Sequence, residues 1–147
     1  MKVFGYVTSR SFQGLTIPVP AQNACLREYA RTKELMYVLP PLEHYFDNCY
    51  MQLFTALNSL QRGDTLAMYS AAMLPISSSK LHQIFKIIEN KNASIYFVLE
   101  AKLVYTLNEC QPIIFSYSLR NTLDKMSQLP IESLRNLTNN SAIKKIT

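Results

Sequence analysis

Glycine, cysteine, histidine and tryptophan are all scarce in this sequence, and their scarcity excludes several common kinds of site. The 147 residues include 3 glycines, 3 cysteines, 2 histidines and no tryptophan. Glycine-rich phosphate loops of the GxGxxG or Walker A type are absent, as are the GxSxG and HExxH motifs of hydrolases and zinc proteases. The chain therefore falls outside the nucleotide-binding and hydrolytic classes that these motifs define.

The three cysteines are odd in number and far apart, at Cys25, Cys49 and Cys110. No CxxC pair occurs, and only His44 and His82 could complete a metal site with them. Zinc sites and disulfide frameworks need closer and more regular spacing. We therefore expect reduced, partly buried thiols, no metal and no cofactor.

Long apolar runs are absent as well. No stretch approaches the roughly 20 residues that a membrane-spanning helix needs. The first residues of the sequence also lack the apolar core of a signal peptide. From these two observations we expect a cytoplasmic protein that makes no contact with a membrane.

Apolar residues make up 48% of the chain and charged residues 17%, which are proportions of a folded domain. The low share of charge also suits an oligomer with a buried interface. The net charge is +5, and residues 119–147 hold five Lys/Arg against two Asp/Glu. Because no tight cluster of Lys and Arg occurs, this excess is only a weak basis for binding nucleic acid, and we expect no such partner.

Short apolar runs alternate with amphipathic stretches along most of the chain. The run LMYVL at residues 35–39 is apolar throughout, as expected for a strand that is covered on both faces. Apolar residues at three- and four-residue steps, such as Leu53, Leu57 and Leu60, predict helices. The predicted strands are residues 3–7, 35–39, 65–70 and 93–98, and the predicted helices are residues 21–33, 48–61 and 78–91.

Strands separated by helices predict right-handed crossovers and a parallel sheet. We therefore predict an α/β fold of three layers, flavodoxin-like, with a mainly parallel sheet in the order 2-1-3-4 and helices on both faces. Asp47 or Asn48 is predicted to cap the helix of residues 48–61. The methionines expected to fill gaps in the core are Met36, Met51, Met68 and Met73.

The pattern weakens towards the end, and we divide the chain into an α/β domain, residues 1–110, and a helical extension, residues 111–147. A short extra strand is expected within residues 99–107. Residues 112–126 are expected to form a helix begun by their proline, and residues 130–136 a last short helix. The longer helix carries more apolar side chains than one face needs, which predicts a homo-oligomer that uses the C-terminal third.

The stretch from Lys2 to Asn23 organises the expected functional edge of the sheet. It is predicted to hold a strand, the long polar loop Thr8–Pro20 and a helix start. Ligands of open α/β sheets bind beyond the carboxyl ends of the strands, where the strand order reverses. In the order 2-1-3-4 that point lies between the first and third strands. We therefore expect a crevice between the Thr8–Pro20 loop and the loop of residues 70–77.

Polar side chains on several loops should converge on this crevice. The ligand-binding candidates on the loops after the first and third strands are Ser9, Arg10, Ser11, Tyr69 and Ser70. Arg10 could hold a phosphate or carboxylate with its fork of donors, and the alternative is an ion pair with Glu43 or Glu100. Ser9 could act as a nucleophile only with a base in reach, and otherwise it bonds to the loop backbone.

Glu43 and His44 are the expected catalytic residues, because histidine titrates near neutral pH and a carboxylate stands beside it. The alternative is a solvated pair on a loop. Tyr45 and Tyr50 could stack on a sugar face, and a place in the core or an interface is the alternative. The sequence SSSK at residues 77–80 opens a helix and could bind a phosphate through backbone N–H groups, with simple N-capping as the alternative.

Several short motifs follow one another within residues 3–105. They are GYVTSR at residues 5–10, IPVPAQN at residues 17–23, LREYA at residues 26–30, YS at residues 69–70 and LP at residues 74–75. In this combination the chain resembles the small family of sporadic carbohydrate cluster proteins. Members are encoded in surface-polysaccharide biosynthesis clusters, so the resemblance implies a role in making or modifying a glycan, without specifying a reaction.

The strand and loop at Gly5–Arg10, with Gln22 near the next helix start, are also similar to the catalytic domain of serine recombinases. In that family a strand with Gly-Tyr-x-Arg-x-Ser precedes a long loop and a helix that carries a glutamine. The similarity implies a shared fold and adds Gln22 to the ligand-binding candidates. Thr8 stands where the first arginine would be, and residues 71–77 lack the family's Asp-Arg-Leu-x-Arg. Recombinase activity is not implied, because arginines that stabilise a phosphoryl-transfer transition state are missing.

Three functions stay open on this reading. The first is a protein of surface-carbohydrate biosynthesis that binds or modifies a sugar, sugar phosphate or nucleotide-sugar in the crevice, with an anionic group near Arg10. The second is a non-catalytic partner or regulator of such an enzyme. The third is a nucleic-acid-associated relic of a recombinase-like fold, and the missing arginines count against it. The sequence does not decide whether the protein is an enzyme.

Overall fold

The computed structural model describes residues 1–127, which form one five-stranded sheet and four α-helices. The elements are β1 (Lys2–Tyr6), α1 (Val19–Thr32), β2 (Met36–Val38), α2 (Met51–Ser59), β3 (Thr65–Met68), a 3-10 turn (Ala71–Met73), α3 (Ser78–Lys91), β4 (Ser94–Phe97), β5 (Lys102–Val104) and α4 (Leu107–Ser127). The strand order is β2-β1-β3-β4-β5. The first four strands are parallel, and β5 pairs antiparallel with β4.

The predicted α/β fold and its strand order 2-1-3-4 are confirmed, with β5 added at one edge. Helix α3 occupies the predicted residues, and Ser77 caps it by accepting a hydrogen bond from the N–H of Lys80. β1 keeps its predicted length and starts one residue earlier, whereas β2, β3 and β4 keep their predicted positions but end one or two residues short of the predicted bounds. The apolar pattern therefore places each element, while the length of a strand depends on where its neighbours stop pairing.

Apolar side chains cover both faces of the sheet. On one face, α1 packs Leu26 and Ala30 against Val3, Val7 and Ala67. On the other face, α2 and α3 pack against each other and against the alternate residues of the strands. The fully buried side chains of that second layer include Leu53, Leu57, Leu66, Ile84, Phe85, Ile88 and Ile95.

Gly5 stands at the centre of β1 where the side chain of Tyr37 crosses the strand. A Cβ atom at this position would collide with the hydroxyl of Tyr37, so only glycine fits. That hydroxyl donates a 2.8 Å hydrogen bond to Oδ1 of Asn23 and so links β2 to α1. Burial raises the pKa of Tyr37 to about 12, which keeps the phenol a hydrogen-bond donor at neutral pH.

Asp64, buried just before β3, holds the amino ends of the central strands together. Its Oδ1 accepts a 2.8 Å hydrogen bond from the N–H of Lys2, and its Oδ2 accepts one of 2.8 Å from the N–H of Gln61. Its backbone carbonyl accepts a 3.1 Å hydrogen bond from the N–H of Ser94. One residue thereby fixes where β1, β3 and β4 begin relative to one another.

Two predicted helix starts are wrong. Tyr50, and neither Asp47 nor Asn48, is the N-cap of α2, and it makes no side-chain capping bond. Asn48 instead adopts a left-handed conformation with φ 60°, two residues before the N-cap position. The side chain that replaces the missing cap comes from earlier in the same loop and is part of the candidate site.

Pro112 does not begin α4, because the helix starts five residues earlier at Leu107. Thr106 and Glu109 have the spacing of a capping box, with the Glu109 carboxylate bonded to the Thr106 hydroxyl: the N–H of Glu109 donates to Oγ1 of Thr106, and that hydroxyl donates to Oε1 of Glu109, both at 3.3 Å. This T-x-x-E signal was readable in the sequence, and it outweighs the proline, whose ring α4 accommodates inside the helix.

Two of the four methionines expected in the core are on the surface. Met68 and Met73 are buried, whereas Met36 and Met51 are exposed over more than half of their surface. Met36 lies on the edge strand β2, which has a neighbour on one side only. Met51 occupies the first turn of α2, where it lines an open recess.

The chain divides into two units, of which the first comprises Met1–Ile114 and the second begins at Phe115, within α4. In the second unit, the exposed apolar side chains of α4 are Phe115, Leu119, Leu123 and Met126. An oligomer contact through this part of the chain stays a prediction. The short helix expected at residues 130–136 lies outside the described residues. Within residues 1–127, each helix is too short or too polar to cross a lipid bilayer.

The Asp64→Ala substitution should lower the free energy of unfolding by about 1–3 kcal/mol, because it leaves two backbone N–H groups at the strand starts without their acceptors. Urea denaturation measures this loss. The exposed Asp47→Ala variant is the control and should change stability by no more than about 0.5 kcal/mol. Equal losses in the two variants would show that Asp64 does not hold the strands.

Cys110 should resist alkylation in the native protein. It is fully buried in α4, and burial, together with the nearby Glu100 carboxylate, raises the pKa of its thiol to about 12. Because the thiolate is the reactive form, iodoacetamide at pH 8 should modify the half-buried Cys25 and Cys49 first. Peptide mass spectrometry over time measures the three rates. Equal rates in the native protein, and not only after denaturation, would contradict the expected order.

Candidate ligand-binding site

The long loop between β1 and α1 folds onto the body of the sheet. Within it the backbones of Phe12 and Leu15 exchange two hydrogen bonds of 2.9 and 3.0 Å around a two-residue turn. The turn residues Gln13 and Gly14 both have positive φ, 52° and 72°, as a type I′ hairpin requires. Phe12 is buried, with its ring centroid 6.2 Å from that of Tyr69 at the end of β3. The loop is therefore an ordered wall between the carboxyl ends of β1 and β3.

Gln22, a ligand-binding candidate, holds the two ends of this loop from a fully buried position in α1. Its Nε2 donates 2.8 Å hydrogen bonds to the carbonyl oxygens of Thr8 and Ile17, and its Oε1 accepts a 3.3 Å bond from the N–H of Thr8. Both amide hydrogens are thereby used by the backbone. Direct contact of Gln22 with a ligand stays a prediction, while its contacts position the loop.

Glu43, one of the two expected catalytic residues, is buried and accepts hydrogen bonds from four groups. Oε2 accepts from the hydroxyl of Tyr6 at 2.9 Å and from the N–H of Leu53 at 3.1 Å. Oε1 accepts from the N–H of His44 at 2.9 Å, and the N–H of Gln52 reaches both oxygens at 3.1 and 3.2 Å. The carboxylate therefore caps the positive end of α2 from a distance, in place of a local N-cap.

The Tyr6 phenol is fixed by the same carboxylate. Its pKa is raised above the ordinary tyrosine value, first by burial and then by the charge of Glu43. Tyr6 is thus a permanent donor to Glu43 across the neutral pH range. His44 is exposed, and it is its backbone N–H that bonds to Glu43. These hydrogen bonds show how Glu43 is positioned and do not test catalysis. An acid–base role for Glu43 and His44 therefore stays a prediction.

A second carboxylate, Glu100, accepts hydrogen bonds from the residues that follow β3 and so holds that loop. The hydroxyl of Ser70 donates a 2.7 Å hydrogen bond to its Oε1, and the N–H of Ala71 reaches both oxygens at 3.2 and 3.3 Å. The Ser70 oxygen in turn accepts from the N–H of Ala72, at the start of the 3-10 turn. Ser70, another ligand-binding candidate, is completely buried in this arrangement.

Arg10 belongs to the loop after β1, and its side chain contacts the loop after β2. Its Nη1 donates a 2.7 Å hydrogen bond to the carbonyl oxygen of Phe46, and its Nε donates one of 3.3 Å to Oγ1 of Thr8. Its guanidinium carbon lies 4.9 Å from the centroid of the Tyr50 ring. In the described part of the chain it forms no ion pair with Glu43 or Glu100, so the alternative of a structural salt bridge is not realised.

Lys80 brings a second cation to the same aromatic ring. Its Nζ lies 5.1 Å from the centroid of Tyr50 and donates a 3.1 Å hydrogen bond to the carbonyl oxygen of Asn48. An open recess of about 400 Å³ begins here, lined by Tyr50, Met51, Phe54 and Lys80. We refer to Arg10 and these four lining residues as the Tyr50 site.

The charges around the Tyr50 site are of both signs. Burial raises the pKa of the Tyr50 phenol, while the charge of Arg10 opposes that shift and the carboxylates of Glu43 and Asp47 add to it. Glu43 is satisfied by its four donors, so its charge is already shared with the start of α2. Asp47 is exposed to solvent, which screens it.

The structure separates the expected site residues into two groups. Ser9 and Ser11 are exposed next to Arg10, whereas Tyr69 and Ser70 are engaged with Phe12 and Glu100. Sequence reasoning did not identify Phe54, which lies beside Leu53 on α2, as part of a site. Two adjacent residues cannot both point at the centre of a helix face, which was the available signal. Within residues 1–127, no group of three His, Cys, Asp or Glu side chains could hold a metal ion.

The Glu43→Gln substitution should lower the free energy of unfolding by about 2–4 kcal/mol, because the amide NH₂ would face donors where the carboxylate accepts. Urea denaturation measures the loss. The control is His44→Gln, which changes an exposed ring and keeps the backbone N–H, and should stay within about 0.5 kcal/mol of the wild type. A Glu43→Gln protein of wild-type stability would show that the carboxylate does not hold α2.

Among solved structures, the chain is similar to a resolvase family site-specific recombinase from Streptococcus pneumoniae, with 11% identity, a TM-score of 0.51 and 99% of both chains covered. It is also similar to the N-terminal catalytic domain of TP901-1 integrase, with 14% identity, a TM-score of 0.50, and 88% of this chain and 100% of that chain covered.

No protein-family model and no curated protein matches the sequence. The resemblance to carbohydrate cluster proteins therefore stays a prediction. The recombinase resemblance is confirmed at the level of architecture: this chain has a resolvase-like α/β fold, and at these identities the likeness extends to the fold alone.

Proposed function

We propose that this protein binds a sugar phosphate or nucleotide-sugar in the Tyr50 site and serves surface-carbohydrate biosynthesis. The observation that carries the proposal is the pair of cations, Arg10 and Lys80, placed around one aromatic ring at the mouth of an open recess. The site lies beyond the carboxyl ends of β1, β2 and β3, where ligands of open α/β sheets bind. The carbohydrate setting rests on the motifs within residues 3–105.

Both cations keep donors for a ligand. A guanidinium has five N–H groups, and within the described residues Arg10 uses one on Thr8 and one on Phe46. Lys80 uses one of its three on Asn48. Since each cation lies about 5 Å from the Tyr50 centroid, the two are at most about 10 Å apart. A phosphate beside either cation could accept charge-assisted hydrogen bonds, which are the strongest that side chains make.

The contacts that hold Arg10 also orient it. The Phe46 carbonyl and the Thr8 hydroxyl fix one edge of the guanidinium, and the Tyr50 ring supports the group through a cation–π contact. A side chain held in this way loses little freedom when an anion arrives, so more of the interaction energy appears as affinity. This arrangement supports binding, and a non-catalytic partner of a glycan-biosynthesis enzyme would use the same site.

A nucleic-acid-associated role is the second candidate. Tyr45 and Phe46, next to the Arg10 contact, are each 75% exposed, and exposed aromatic rings beside cations are the surface on which single-stranded nucleic acids stack. The similar solved structures are a site-specific recombinase and an integrase catalytic domain. The arginines expected for recombinase chemistry are absent from residues 71–77, so this role would be binding without strand exchange.

The Arg10→Ala substitution should weaken the binding of a phosphate-bearing ligand by about 1.5–3 kcal/mol, the usual worth of charged hydrogen bonds. A thermal-shift screen of sugar phosphates and nucleotide-sugars selects the ligand, because a compound that binds only the native state raises the melting temperature. Isothermal titration calorimetry then gives the affinity per folded molecule. Some loss of ligand-free stability is expected, since Arg10 also bonds to Thr8 and Phe46.

Arg62→Ala is the matched control, because Arg62 precedes β3 at the opposite end of the sheet and its loss changes the net charge equally. It should leave affinity unchanged. If both variants lose the same affinity, the effect is one of net charge. If Arg10→Ala lowers only the melting temperature and keeps the affinity, Arg10 belongs to the loop and not to a binding site.

A further inference from the structure

We infer that the Tyr50 site takes a nucleotide, with its phosphates on Arg10 and Lys80 and its base in the recess. The inference rests on the proposed function, because it assumes that the site binds a phosphate-bearing ligand. It goes further by assigning the part of the ligand that enters the recess, which separates a nucleotide from a plain sugar phosphate.

The lining of the recess is the first argument. The side chains of Met51 and Phe54 and the ring of Tyr50 form its walls, and the amino group of Lys80 lies at its edge. A sugar presents hydroxyl groups on most of its surface, and each needs a hydrogen-bond partner when it is buried. The faces of a nucleobase need none, and they stack on aromatic and apolar side chains. An apolar recess of about 400 Å³ therefore suits a base better than a sugar.

The placement of the cations is the second argument. Arg10 approaches the ring from the loop after β1 and Lys80 from the first turn of α3, and within the described residues both keep unused donors. A diphosphate offers two anionic groups in series, so that each cation can meet one of them. A sugar monophosphate offers one such group, which leaves the second cation without an anion.

The exposed Met51 is the third observation. Its unbranched thioether side chain is 62% exposed at the rim of the recess, on the first turn of α2. Methionine is flexible and polarisable, and it adapts to flat aromatic partners. A base that entered the recess would cover this side chain and remove exposed apolar surface from water, which is a favourable change.

A nucleotide can come from a nucleotide-sugar or from a nucleic acid, and both share this chemistry. An oligonucleotide would extend past Arg10 onto the exposed rings of Tyr45 and Phe46. A nucleotide-sugar carries a single sugar beyond its phosphates and has no further base to stack on the two rings. The Tyr45→Ala/Phe46→Ala double variant therefore distinguishes the two sources without changing the recess.

The test is calorimetric titration of the full chain with uridine diphosphate, uridine diphosphate glucose, glucose 1-phosphate, inorganic pyrophosphate and an eight-residue oligothymidylate. We expect uridine diphosphate to bind at least tenfold more tightly than pyrophosphate or glucose 1-phosphate, the gain that one stacked base supplies. Phe54→Ala should remove most of that gain and leave pyrophosphate binding unchanged. Met51→Ala, at an exposed position that cannot prevent folding, should reduce the gain severalfold, whereas Lys86→Ala on α3 should not.

The outcomes separate this inference from the proposal on which it rests. If pyrophosphate and glucose 1-phosphate bind as tightly as uridine diphosphate, and Phe54→Ala and Met51→Ala do not alter that ranking, the nucleotide inference is overturned while the phosphate site stands. If no phosphate-bearing compound binds, both fail. Tighter binding of the oligonucleotide that depends on Tyr45 and Phe46 supports a nucleotide from nucleic acid, and tighter binding of uridine diphosphate glucose supports a nucleotide-sugar.

Discussion

The buried carboxylate of Glu43 is the interaction on which the ligand-facing edge of this fold depends. It joins the end of β1, through Tyr6, to the loop after β2 and to the first turn of α2. Tyr50 and Met51 stand at the start of that helix, so the position of the recess follows from a carboxylate seven and eight residues earlier in the chain. A local cap would orient only the helix, whereas this remote cap ties the helix to the sheet.

Glu100 and Gln22 extend the same principle to the neighbouring loops. Gln22, which is buried, and Glu100, which is partly buried, each bond to backbone groups of a loop that follows a parallel strand. Loops that would otherwise have many conformations are thereby held at the edge where the strand order reverses. The side chains that face outwards from this framework, Arg10 and Lys80, are held by backbone carbonyl groups while part of their donor set stays available. The residues that hold the loops are thus different from the two cations to which we assign ligand binding in the proposed function.

The sequence was sufficient for the architecture and insufficient for the site, for a physical reason. Alternation of apolar runs such as LMYVL with helical periods is a local property, and it predicted the sheet order and the bounds of α3. A remote cap such as Glu43 leaves no periodic pattern and no fixed spacing in the sequence. The sequence therefore did not indicate that this expected catalytic residue bonds to α2. Asn48, two residues before the Tyr50 that contacts Arg10, adopts a left-handed conformation that residue type alone does not determine. The capping signal at Thr106 is local and present in the sequence, and the predicted helix start at Pro112 did not take it into account.

The hydrogen bonds of Gln22 to both ends of the β1–α1 loop have a consequence for the kinetics of the proposed ligand binding. The loop is already ordered without a ligand: its backbone is bonded to Gln22 at Thr8 and Ile17, and its hairpin is closed between Phe12 and Leu15. For the proposed phosphate-bearing ligand we therefore expect no slow ordering of this segment, and an association rate governed by diffusion and the attraction of the two cations. On the same proposal, selectivity among ligands of similar charge would reside in the dissociation rate that the recess sets.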